Sequence, residues 1–215
     1  MSSCNNDEIA EKTMDTIATK LRRLNISTFK HTFESFKPTN ETKEAVAILK
    51  EISNEKTNIQ FVLLYGTTGS GKTHLIEASI ISWAKQGLFT RYQTFSEIAR
   101  SLKSALRQSA ELYDELFKRY QATTRLVVDD IGSGTTESRF EISDLEDIID
   151  QRYRRRYYPD ENLITILSTN KDIKDLPDRI VSRFYDPEFG KVIYTGEEDY
   201  RRSKERKLRN DMSSK

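Results

Sequence analysis

Four sets of residues in this chain could act together on one chemistry. The first is Gly66-Thr67-Thr68-Gly69-Ser70-Gly71-Lys72-Thr73, followed by His74. Glycines at this spacing let the backbone double back, so that successive N–H groups converge on one anion. A lysine and a hydroxyl at its end suit a triphosphate: Lys72 for the β- and γ-phosphates, Thr73 for Mg²⁺. The second group is Asp129-Asp130. Asp129 is positioned to accept hydrogen bonds from a Mg²⁺ hydration shell, and Asp130 to orient or deprotonate an attacking water. The third is Asn170, which could hold that water or the γ-phosphate without adding charge, or could simply cap a turn. Arg179 and Arg183, four apart on one helix face, offer cations for a phosphate or for nearby acids.

Each group needs an element to aim it. The glycine loop follows the apolar run Phe61-Val62-Leu63-Leu64-Tyr65 and precedes a helical pattern, the context a phosphate-binding loop requires. Leu126-Val127-Val128 leads into the two acids, and Leu163-Ile164-Thr165-Ile166-Leu167 into Ser168-Thr169-Asn170. Strands are predicted at 61–65, 89–94, 125–129, 163–169 and 191–194. Helices are predicted at 72–85, 95–120, 142–157 and 177–184, with another starting near Thr39-Asn40-Glu41-Thr42. Strictly alternating strands and helices predict an α/β fold, a parallel sheet covered on both faces. Ligands in such sheets bind beyond the carboxyl ends of the strands, where the loop and both acids fall.

The remaining features bound the reading. At 215 residues one domain with short tails is expected. Net charge is +1, so any attraction for nucleic acid must come from a local patch. Cys4 is the only cysteine, which excludes an internal disulfide or a cysteine-rich zinc module. No basic start leads into an apolar segment, and no apolar run approaches the ~20 residues that span a bilayer, so a cytoplasmic protein without a membrane partner is expected. Ala10, Met14, Ile17, Leu21 and Leu24 repeat at fours and threes, a helix stripe that docks either on its own domain or on a partner. Of Phe29, Phe33 and Phe36 in the connector, Phe33 or Phe36 could cover a nucleobase or pack in the core.

Two stretches are candidates for single-stranded DNA. Arg100, Lys103 and Arg107 share one helix face, which either contacts phosphates or is merely solvated. Arg152-Tyr153-Arg154-Arg155-Arg156-Tyr157-Tyr158 interleaves cations with aromatics, a pattern for phosphate contact and base stacking, with Arg152 and Arg154 as the leading contacts. The same residues could instead lie over the core or pair with Asp147, Asp150 or Asp160.

In this order, Gly66–His74, Val128-Asp129-Asp130-Ile131-Gly132, Gln151-Arg152-Tyr153, Ser168-Thr169-Asn170 and Asp178-Arg179-Ile180-Val181-Ser182-Arg183-Phe184 resemble the AAA+ ATPases. They are most similar to the DnaC/IstB group of helicase loaders and transposition helpers. The resemblance runs from about Thr32 to Tyr194. It implies a P-loop NTPase core with sheet order 5-1-4-3-2. It also implies ATP and Mg²⁺ as cofactors, a Walker A loop at 66–73, a Walker B strand ending at Asp129, Asn170 as sensor 1, and Arg183, or Arg179 in second place, as an arginine finger. Self-association through the ATP site, a replicative helicase and single-stranded DNA are the implied partners. The expected division is an N-terminal helical arm over 1–30, the ATPase domain over 31–195 and a charged tail over 196–215, with no lid domain. Asp130 stands where many relatives have a longer glutamate, so slow turnover is expected from an isolated chain. The competing readings are a transposition helper, a small-molecule P-loop kinase and a non-hydrolysing adaptor.

Overall fold

The computed structural model describes residues 17–24, 26, 30–132, 139–158 and 161–197. The predicted tail from 198 onward, and Ala10 and Met14 of the N-terminal stripe, lie outside them. Helical residues 17–23 (α1) are followed by α2 (Lys43–Ser53), β1 (Phe61–Tyr65), α3 (Lys72–Lys85), β2 (Arg91–Thr94), α4 (Phe95–Gln108) and α5 (Ala110–Ala122). Then come β3 (Arg125–Ile131), α6 (Arg139–Arg154), β4 (Ile164–Thr169), a short 3-10 turn (Ile173–Asp175), α7 (Asp178–Phe184) and β5 (Gly190–Tyr194). The five strands form one sheet in the order β2-β3-β4-β1-β5, every pair parallel, which is the 5-1-4-3-2 order expected.

Alternation along each strand splits the core into two layers. Val62 and Leu64 face one side, where Leu49 of α2, Leu75, Ile76 and Trp83 of α3 and Ile166 of β4 pack. Phe61 and Leu63 face the other, against Phe95 and Ile98 of α4, Ile148 and Ile149 of α6 and Phe184 of α7. Ile17 and Leu21 of α1 are buried in the first layer, so the described end of the N-terminal stripe docks on its own domain.

Three differences from the expected elements have local causes. Phe89 is 64% exposed and precedes β2, which starts at Arg91, where pairing with β3 begins. The helix expected over 95–120 is two. Ser109 takes an extended conformation (φ −165°, ψ 158°) and its hydroxyl accepts from the Leu112 N–H, ending α4 and capping α5. α4 itself begins on a capping box between Thr94 and Glu97. Between Val128 and Ile131, β3 has two residues where β4 has only Ser168. This one-residue bulge bends the strand and re-aims its two carboxylates. Asp130, at φ +61°, sits in the left-handed region that few non-glycine residues adopt.

Candidate functional site

The carboxyl ends of β1, β3 and β4 bring the predicted loop, acids and amide together. The loop turns on glycines in the left-handed region, Gly69 at φ +88° and Gly71 at +98°. A Cβ on Gly71 would lie 2.8 Å from the Phe36 ring, so the close approach of that ring also requires glycine. α3 starts at Lys72, with its unpaired N–H groups and positive dipole end facing the loop.

Lys72 is 6% exposed. Its ammonium donates to the carbonyls of Gly66 (2.7 Å) and Thr67 (2.9 Å) and to Ser70 Oγ (3.3 Å). Burial pulls its pKa down to about 8, while the nearby charges of Asp129 and Asp130 act in the opposite direction.

Asp129 is a hub. Its Oδ2 accepts from Thr73 Oγ1 at 3.2 Å and from the Tyr92 hydroxyl at 3.1 Å, and its Oδ1 accepts from Ser168 Oγ. Burial and the Asp129 charge push the Tyr92 phenol well above its usual range, so it stays a donor. Ser168 Oγ also accepts from the Asp130 N–H (3.0 Å), and Asn170 Nδ2 donates to Asp130 Oδ1 (2.6 Å). Thr73, Asp129, Ser168, Asp130 and Asn170 therefore share one bonded cluster, and the charges of Asp129 and Asp130 act on the Lys72 ammonium held in the loop beside it. Thr73 and Asp129 present two hard oxygen donors side by side, the chemistry Mg²⁺ selects beside a triphosphate.

A strap crosses the start of α3. The imidazole of His74 is engaged with the Thr32 carbonyl (3.1 Å), with Ser35 Oγ (3.3 Å) and with the ring of His31, centroids 4.6 Å apart. Phe36 meets it edge-on at 5.0 Å, and His31 pairs with Glu77 at 2.6 Å. Burial lowers the His74 pKa. His74 thus anchors the strap. Of the two candidate base-covering rings, Phe36 is the one at the loop, while Phe33 is buried in the core.

Arg183 lies away from the cluster. It bonds Asp150 at 2.8 Å, with its guanidinium 5.0 Å from the centre of the Tyr153 ring. Arg179 pairs with Glu146 (3.1 Å) and Asp147 (3.8 Å). Asp150 also binds Arg154, and together these arginines hold its pKa low against the opposing effect of burial.

The DNA candidates divide. Arg100, Ser104 and Gln108 of α4 face Leu112, Leu116 and Arg119 of α5 across a groove of about 460 Å³. Arg107 is exposed and Lys103 partly so on the same helix. The second stretch needs a correction at Arg152, which is 0% exposed and beyond the reach of DNA. Its guanidinium donates to Thr165 Oγ1 (2.8 Å) and to the carbonyls of Ile164 (2.8 Å), Tyr120 (3.1 Å), Gln121 (3.2 Å) and Thr123 (2.6 Å). It closes the last turn of α5, whose carbonyls lack helical partners. Arg155 pairs with Glu161, and Arg156 lies between the rings of Tyr153 (3.8 Å) and Tyr157 (4.1 Å) while facing Asp186.

Sequence reasoning assigned no role to Tyr92, Ser168 or Thr195, all of which touch the cluster or its loop. Ser168 and Thr195 carried the same signal as Asn170, a small polar residue at or just past the end of a strand. Tyr92 carried none.

Sheet order, phosphate loop and acid pair define the P-loop fold of the AAA+ type. The family model for IstB-like ATP binding protein matches residues 4–176, and the chain belongs to that family. It is 29% identical over 163 residues to chromosomal replication initiator protein DnaA 1 of Chlamydia trachomatis, covering 71% of this chain and 33% of that protein. The chain thus spans about a third of the length of that relative. Among solved structures, a replication initiator DnaA bound to AMPPCP and single-stranded DNA superposes with a TM-score of 0.65 at 23% identity, over 78% of this chain and 50% of that one. The DnaC helicase loader superposes at 0.62 with 21% identity, over 77% of this chain and 97% of that one. These two likenesses speak for the fold.

Proposed function

We propose that this protein hydrolyses ATP in the cytoplasm as a self-associating AAA+ loader of a replicative helicase on single-stranded DNA. The observation that carries the hydrolytic reading is the unbroken bonding from Thr73 through Asp129 and Ser168 to Asp130 and Asn170. A site that only binds nucleotide has no need to fix an acid against a neutral amide donor. Thr73 would hold Mg²⁺, with Asp129 accepting hydrogen bonds from its hydration shell, and the ion would supply charge neutralisation at the phosphates. Lys72 and the amides at the start of α3 hold the triphosphate. Asp130 accepts the proton of the attacking water while Asn170 fixes the orientation of its carboxylate. Arg183 completes a neighbouring subunit's site, which makes turnover depend on assembly. The α4–α5 groove, with Arg100 and Arg119 at its walls, is the surface for a single strand, and Lys103 and Arg107 add phosphate contacts on α4.

The family match supports a second reading, a transposition helper that marks duplex DNA. Equilibrium binding of fluorescent single-stranded and duplex oligonucleotides, each with ATP, separates the two. Preference for the single strand, lost in an Arg100→Ala, Lys103→Ala, Arg107→Ala triple variant, supports the loader. Preference for duplex overturns it in favour of the helper.

A further inference from the structure

The first two residues after the last strand are built into the phosphate loop. Thr195 is 2% exposed, and its Oγ1 lies 2.7 Å from Ser70 Oγ and 3.0 Å from the Tyr65 carbonyl. Its N–H reaches the same carbonyl at 2.8 Å. The next carbonyl, that of Gly196, accepts from the Thr67 N–H at 3.2 Å and from Thr67 Oγ1 at 3.4 Å. The donor sense of this chain is fixed by its ends. An ammonium only donates and a carbonyl only accepts. Lys72 therefore donates to Ser70, Ser70 to Thr195, and Thr195 to Tyr65. Every hydroxyl in the relay is used once as donor and once as acceptor.

The first glycine of the loop answers to this contact. A Cβ at Gly66 would come 2.6 Å from Thr195 Oγ1 and 2.8 Å from the Gly196 carbonyl. Gly66 is thus required by the segment behind the loop, whereas the glycine at 71 is required by the Phe36 ring in front of it. Gly196 is itself confined, with φ +95° and a Cβ position 2.7 Å from Glu41 Oε2. The two residues behind the loop are as constrained as the loop itself.

We infer that Thr195 is a positioning residue of the triphosphate site. Its hydroxyl holds Ser70, and through Ser70 the Lys72 ammonium, in the geometry that receives phosphate, while Gly196 pins Thr67 from behind. Replacing Thr195 with valine keeps the shape but leaves the Ser70 hydroxyl without its acceptor in a buried site. The loop then satisfies that hydroxyl by moving, and the cost appears in nucleotide affinity.

The test is a double-mutant cycle read by calorimetric titration of ATP with Mg²⁺, with the thermal midpoint of each unliganded protein as control. Thr195→Val is expected to bind ATP about tenfold more weakly, the worth of one buried hydrogen bond, with an unliganded midpoint within a few degrees of the native chain. Thr195→Ser, which restores the hydroxyl, is expected within about twofold of native, on the same scale. Ser70→Ala breaks the bond from the other end, and the double variant is expected to bind no more weakly than the weaker single one. Native affinity in Thr195→Val overturns the inference. So does weak binding in Thr195→Ser, which would assign the effect to the missing methyl, or losses that multiply in the double variant. Should the valine variant fail to fold, Ser70→Ala and Thr195→Ser decide alone, and native affinity in the former overturns the inference.

Discussion

Arg152→Met is a severe perturbation of this fold, because methionine fills much of the same length without any donor. Five acceptors lose their partner: Thr165 Oγ1 and the carbonyls of Ile164, Tyr120, Gln121 and Thr123. The contacts to Thr165, Ile164 and Tyr120 are buried, while those to Gln121 and Thr123 are only partly so and can recruit water. Three buried acceptors at about 1–2 kcal/mol each give a loss of roughly 3–5 kcal/mol, after the relief of no longer burying a cation. For a chain of this size that corresponds to a fall in thermal midpoint of about 10–15 °C, followed by circular dichroism or calorimetry. The largest local effect is at the end of α5, where hydrogen exchange should quicken first. A variant that melts within about 3 °C of native, yet loses affinity for single-stranded DNA, would refute the buried-cap argument and restore Arg152 as a DNA contact.

Three further outcomes follow from the site. The free protein's affinity for ATP should fall as pH rises through about 8, where the buried Lys72 ammonium is lost. Because its folded pKa lies below the unfolded value, the unfolded chain holds more protons between about 8 and 10.5, and stability should rise over that window while affinity falls. Parallel titrations of binding and melting check the opposed signs, and a flat affinity across pH 7–9 would contradict them. Asp150→Asn removes the charge that holds Arg183, so turnover of the assembled protein should drop about tenfold with ATP affinity unchanged. An equal loss of binding would place Asp150 in the fold rather than behind the arginine. Tyr92→Phe removes one of three donors to Asp129 and should raise the Mg²⁺ concentration needed for half-maximal turnover about threefold, read by Mg²⁺ titration of the rate.

How much of this was legible in the sequence depended on how far apart the partners lie in the chain. The phosphate loop is contiguous, so its glycines, Lys72 and Thr73 announced themselves. Asp129 and Asn170 were legible because each ends an apolar run that could only be a buried strand. The bulge that turns Asp130 onto Asn170 was not, since it exists only in the register of β3 against β4. Thr195 meets Ser70 across 125 residues and Tyr92 meets Asp129 across 37, separations over which no local pattern speaks. The run from Arg152 to Tyr158 misled in one place for the same reason. Composition cannot distinguish an arginine that binds phosphate from one that closes a helix whose end arrives from 30 residues upstream. The break at Ser109 is subtler, because both flanks are helical and only the serine's capping conformation divides them.

The central claim is that ATP turnover belongs to an assembly completed by Arg183 and tuned by single-stranded DNA. The most direct test is the ATPase rate per molecule across protein concentration, with and without single-stranded DNA, for the native chain and for Arg183→Ala. The account predicts a rate that climbs steeply with concentration, rises further with DNA, and collapses in the variant while ATP binding persists. A rate indifferent to concentration, to DNA and to Arg183 would contradict it and favour the small-molecule kinase or the adaptor.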